Sequence, residues 1–190
     1  MSMKAKITQA SVLLFEEKGF SDTSIQDIVE AIGVTKGTFY YYFNSKEQLL
    51  MEIHLEYISD LLKRQQTILE SDHLSGREKL EAIIALLIHD IQYNGPSGRV
   101  FFREMRHLVE QNVDTIEKQR DLFRLNIEQL ITDSIEAGEF RQDLRADIVA
   151  FGVLGITNYS YNWFNPKGNM SADELIELFS SLLLEGIIPR

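Results

Sequence analysis

The chain has 190 residues, 44% of them hydrophobic and 25% charged, a balance that excludes wholesale disorder and supports a hydrophobic core without staples. It has no cysteine, which excludes a disulfide scaffold, thiolate zinc sites, iron–sulfur clusters and a cysteine nucleophile. The net charge is −10, but residues 1–50 carry five lysines (Lys4, Lys6, Lys18, Lys36, Lys46) against six acidic groups, so the negative excess lies further along.

In chain order, the apolar spacing predicts a helix over Lys4–Lys18, ended by Gly19. Thr23-Ser-Ile-Gln26 has the pattern of a capping box opening a short helix to Ala31. Thr35–Tyr42 is a second short helix. Ser45-Lys-Glu-Gln48 caps a long one that runs to about Leu69. Helices follow over about Arg77–Tyr93, Arg99–Glu110, Asp114–Ala137, Ala146–Phe164 and Ser171–Gly186. The breaks are Asn94-Gly-Pro-Ser-Gly98, Gly138, Asn165-Pro-Lys-Gly168 and Gly186-Ile-Ile-Pro189, and Ser171-Ala-Asp-Glu174 is a third capping box. The expected fold is all-α with about nine helices. Two domains are expected, 1–50 and 51–190, with the boundary inside the helix after Ser45. Met1–Phe15 lacks the apolar core of a secretory leader. The longest apolar run, Ala82–Ile88, is far shorter than the about 20 residues of a membrane span. A soluble cytoplasmic protein with no membrane partner is expected.

Thr23–Phe43 carries the most specific chemistry. Ser24–Ala31, the turn Ile32-Gly33-Val34 and Thr35–Tyr42 have helix-turn-helix spacing, with Gly33 free to take a positive φ. The second helix reads Thr35, Lys36, Gly37, Thr38, Phe39, Tyr40, Tyr41, Tyr42. Three adjacent tyrosines suit neither a buried helix, where each hydroxyl needs a partner, nor a purely solvated one. Lysine and threonine can reach base edges or phosphates, and tyrosine hydroxyls donate to phosphates. The bland alternative is an exposed aromatic patch that binds a partner.

The spacing of Phe15, Gly19, Phe20, Thr23, Ser24, Asp27, Ile28, Ala31, Gly33, Val34, Thr38–Phe43, Lys46, Glu47 and Leu49 closely resembles the N-terminal domain of TetR/AcrR bacterial transcriptional regulators. The resemblance covers about residues 4–52. It implies DNA contacts from Thr35, Lys36, Gly37, Thr38, Tyr40 and Tyr41, and phosphate anchors at Thr23, Ser24 and Lys46. It also implies a homodimer, joined through 146–164 and 171–186, on a palindromic double-stranded operator. No catalytic or metal site and no cofactor are implied.

A second segment, Gly155-Ile-Thr-Asn158 through Trp163-Phe164, Pro166, Gly168, Ser171 and Glu174, is similar to family members that sense acyl-CoA thioesters in lipid catabolism. It implies a small-molecule effector, a long-chain acyl-CoA. Arg99, Arg103 and Arg106 at i, i+4 and i+7 would hold its phosphates, with Phe101, Phe102, Asn158, Tyr159 and Trp163 along an apolar channel. Three rivals remain at this point. One is a DNA-binding dimer with no small-molecule effector, and another is a regulator sensing a cationic drug. The most remote is a di-iron helical enzyme, suggested by Glu70-x-x-His73 and Glu104-x-x-His107.

Overall fold

The computed structural model describes residues 1–187; part of the Gly186–Pro189 break lies outside the described residues. Among the described residues there are eight α-helices, two 3-10 turns and no strand. They are α1 (Met3–Lys18), α2 (Ile25–Ala31), α3 (Lys36–Tyr42), α4 (Lys46–Leu69), α5 (Gly76–Arg103), α6 (Glu110–Glu136), α7 (Ala146–Tyr159) and α8 (Ala172–Ile187).

The chain forms two compact units. The first is Met1–Ser59 together with Pro96–Glu117, and the second is Asp60–Gly95 with the chain from Lys118 onward. In the first, α1 packs on α2 and α2 on α3. Ile7, Phe15, Ile28, Val29, Phe39, Phe43, Leu49 and Leu50 are buried. In the second, buried Leu80, Ile83, Ile84 and Ile88 of α5 recur at helical spacing, as do Phe123, Ile127 and Ile131 of α6.

Four local expectations shift. The capping box of α2 sits one residue later than predicted. Ser24 is the N-cap: its Oγ accepts from the Asp27 amide, and the Asp27 carboxylate accepts from the Ser24 amide. Thr23 is unavailable for that role because it is buried and its hydroxyl donates to the Gly19 and Leu14 carbonyls.

The 94–98 cluster does not end a helix. Only Asn94 leaves helical geometry (φ −122°, ψ 20°). Pro96 then falls in the first turn of the continuing helix, where a missing N–H breaks no bond. The chain leaves α-helical geometry at Glu104 (φ −100°, ψ 0°), so Arg106 lies in the 3-10 turn Met105–His107. Arg99, Arg103 and Arg106 therefore do not share one α-helical face. Likewise α7 stops at Tyr159 and passes into a 3-10 turn, Ser160–Asn162.

A buried carboxylate fixes the bend in α5. Asp90 accepts hydrogen bonds from Arg64 of α4, from Asn94 Nδ2 (2.8 Å) and from the Tyr161 hydroxyl (2.8 Å). Burying the charge is tolerable because cation, amide and phenol all converge on it. Nothing in the sequence signals this cluster, whose outer partners are 26 and 71 residues away.

Candidate nucleic-acid interface

The turn between α2 and α3 is set by Gly33, whose φ of +67° lies in the left-handed region. Behind it the Val34 amide donates to the Val29 carbonyl at 2.9 Å, closing the corner. Thr35 caps α3, its Oγ1 accepting from the Thr38 amide. Phe39 is buried and Phe43 follows it into the core. That anchoring turns Lys36, Gly37, Tyr40 and Tyr41 outward, at i, i+1, i+4 and i+5 on one face. Tyr41 is 82% exposed and Tyr40 53%. Tyr42 is half-buried, with its ring edge-on to Tyr41 at 4.9 Å. A short helix thus presents phenol hydroxyls, one ammonium, a threonine cap and a bare backbone position.

The three expected phosphate anchors fare differently. Ser24 is exposed, with its hydroxyl already donating to Asp27 at 2.6 Å. That bond is the main reason the Asp27 carboxyl titrates below its usual range. Thr23 is fully buried. Lys46 lies at the start of α4, but its ammonium turns inward and donates to the Phe20 and Thr23 carbonyls. The same ammonium lies 4.2 Å from the Phe20 ring centroid. Burial lowers the Lys46 pKa below the usual lysine value, opposed by the carboxylates of Asp22 and Asp27. The Lys46 side chain is thus a clamp between α4 and the α1–α2 turn.

Residues 7–53 match the family model described as bacterial regulatory proteins, tetR family. Residues 73–187 match the model of the tetracyclin repressor-like C-terminal domain. The chain belongs to the tetR family of bacterial regulators. The HTH-type transcriptional repressor KstR2 of Mycolicibacterium smegmatis is 26% identical over 187 residues, covering 98% of this chain and 91% of that protein. The ketosteroid transcriptional regulator KstR2 of Mycobacterium tuberculosis has the same fold, with a TM-score of 0.90 at 24% identity, covering 100% and 96% of the two chains. So does AibR, solved with isovaleryl coenzyme A and operator DNA, at a TM-score of 0.86 and 22% identity, covering 96% and 98%. The tetR-family protein described here is a DNA-binding transcriptional regulator, not an enzyme. Among its described residues no three His, Cys, Asp or Glu side chains stand together as metal ligands, and no helix is long and apolar enough to cross a membrane.

The residues expected to hold an effector fall in both units of this tetR-family regulator. In the first, Arg99 is committed to an ion pair with Glu16 of α1. Phe101 is buried, its ring 4.8 Å from Tyr57 and 5.3 Å from His54. Phe102 is half-buried, and Arg103 and Arg106 are exposed. In the second, Asn158 is half-buried, while Tyr159 (67%) and Trp163 (49%) stand exposed. Tyr159 continues a stripe on α7 formed by Ile148, Phe151, Gly152 and Gly155, all exposed. A Cβ on Gly152 or Gly155 would meet nothing within 4 Å. On α8, Leu178 and Leu182 are also exposed.

Proposed function

We propose that this regulator is a homodimeric repressor of lipid-catabolism genes that leaves a palindromic operator when it binds an acyl-CoA. The observation that carries the DNA reading is the outward face of α3, where Thr35, Lys36, Gly37, Tyr40 and Tyr41 are exposed around a buried Phe39. Lys36 and Thr35 read base edges, the tyrosine hydroxyls donate to phosphates, Thr38 sits at the edge of the contact, and Gly37 admits the backbone, while Ser24 is left out because its hydroxyl proton is already given to Asp27. Thr23 and the Lys46 ammonium are left out, because each is spent on backbone carbonyls inside the protein.

The dimer reading rests on α7 and α8. Exposed Ile148, Phe151, Leu178 and Leu182 form more apolar surface than a solvated pair of helices carries, and the open notch at Gly152 and Gly155 admits a close-packed partner helix. Tyr159 and Trp163 fit this surface better than a closed channel. Two such subunits would set paired α3 helices about 34–36 Å apart, in successive major grooves.

For the effector, the sequence likeness to acyl-CoA sensors is joined by a relative described as a ketosteroid transcriptional regulator and a structural neighbour solved with isovaleryl coenzyme A. Arg103 and Arg106 keep their cations exposed and stay in the proposed set with Phe102, all in the first unit, whereas Arg99 is tied to Glu16. A repressor acting on the chromosome works in the cytoplasm.

The experiment is selection of duplexes from a randomised library, followed by release with acyl-CoA. Wild-type protein should enrich a palindrome. Lys36→Ala should weaken binding to it by about tenfold and relax one position in each half-site, the size expected for one base contact. Enrichment without two-fold symmetry, or an unchanged profile for the variant, would overturn the operator geometry or the role of Lys36.

A further inference from the structure

The inference rests on the DNA reading above and concerns what holds the α3 face in place. Within the first unit, the chain after Pro96 lies against the DNA-reading helices at several named points. Arg99 pairs with Glu16 on α1. Asn112 donates from Nδ2 to Glu47 at the start of α4, at 2.7 Å. Between these points the His107 ring stacks on Phe20, centroids 5.2 Å apart and planes 27° apart.

Phe20 is well placed to pass that contact on. Its ring packs edge-on against buried Phe15, at 5.2 Å. The Lys46 ammonium lies over the same ring and also donates to two carbonyls, those of Phe20 and Thr23. Thr23 directly precedes Ser24, the N-cap of α2, and α2 carries α3 across the Gly33 corner. Shifting the Phe20 ring moves both carbonyls that Lys46 holds, and with them the cap of α2.

We propose that His107 is a positioning residue for DNA binding: its ring, stacked on Phe20, keeps the Lys46 clamp and the α1–α2 turn in the register that presents α3. The contact works through the ring face. His107 also has polar neighbours, with Nε2 3.4 Å from Glu104 Oε2 and 3.4 Å from Arg106 Nε, so ring and polar roles must be separated.

Two substitutions separate them. His107→Phe keeps the ring and loses the polar edge. His107→Gln keeps a polar reach and loses the ring. The probe is the duplex that wild-type protein selects from a randomised library. His107→Phe should bind it within about twofold of wild type. His107→Gln should lose about three- to tenfold, the size of one aromatic stack. Phe20→Leu should show the same loss, and adding His107→Gln to it should cost little more, since both remove one interaction. A second readout needs no DNA: amide exchange at Gly19–Ser24 should quicken in His107→Gln and stay near wild type in His107→Phe. Retained binding by His107→Gln would overturn the proposal, as would loss by both variants in step with a fall in thermal midpoint. Loss confined to His107→Phe would also overturn it and assign the role to Glu104. If wild-type protein selects no duplex, the DNA reading itself fails, and the exchange data still decide whether His107 holds the turn.

Discussion

Lys46 and Thr23 illustrate what single side chains decide. Both look like phosphate anchors by position, and both use their polar atoms on backbone carbonyls of the α1–α2 turn. Residue type and spacing place Lys46 correctly at the start of α4, but whether its ammonium faces outward or inward depends on carbonyls 23 and 26 residues away. Phe39, the one wholly apolar side chain of α3, is the one that the fold buries. Gly37 offers a sharper test. A Cβ there would touch only Thr35 Oγ1, at an ordinary 3.5 Å. Gly37→Ala should therefore stabilise α3, by up to about 1 kcal/mol, while weakening operator binding. Equal or tighter binding in the stabilised variant would mean the backbone makes no close approach to DNA. Asp27 gives a pH test. Its hydrogen bonds from Ser24 hold the folded carboxyl below the ordinary 3.8. The pair thus favours folding above about pH 4, and that contribution fades as pH falls through the lower folded value. A carboxyl titration by NMR should place the Asp27 midpoint below 3.8; a midpoint at or above it would mean the capping box is open in solution.

At the scale of elements, periodicity located every helix, and the ends shifted where local geometry competed. The 94–98 cluster reads as a break because glycine and proline stop helices, yet Pro96 lands where a helix tolerates it and only Asn94 bends away. The arginine face was lost for a related reason: a 3-10 turn after Glu104 has three residues per turn, so i, i+4 and i+7 no longer align. A distant counter-charge was the missing signal at Arg99, whose ion-pair partner Glu16 is 83 residues away. On α8, by contrast, the apolar residues outnumber what one buried face needs, and Leu178 and Leu182 stand exposed. If they meet a second subunit, Leu182→Glu should bury charge against a partner and give a folded 21.9 kDa monomer in sedimentation. A variant that remains dimeric would take α8 out of the interface.

For the whole molecule, the proposed effector makes stability a reporter of identity. A ligand present at 100 times its dissociation constant adds about 2.7 kcal/mol, enough to raise a thermal midpoint by several degrees. Long-chain acyl-CoA should produce that rise, and free CoA, free fatty acid and a cationic dye should not. A rise with the dye alone would identify a drug sensor instead. The inward turn of Lys46 has a consequence for the search along the chromosome. With that ammonium spent internally, Lys36 is the cation left on the outward face of α3, within a chain of net charge −10. Few condensed ions are then freed when the protein settles on arbitrary sequence, and that release is what drives indiscriminate attachment. Such a regulator would spend little of its time parked on irrelevant genes, so a small number of copies per cell could keep a promoter silent, and a modest rise in effector could clear it.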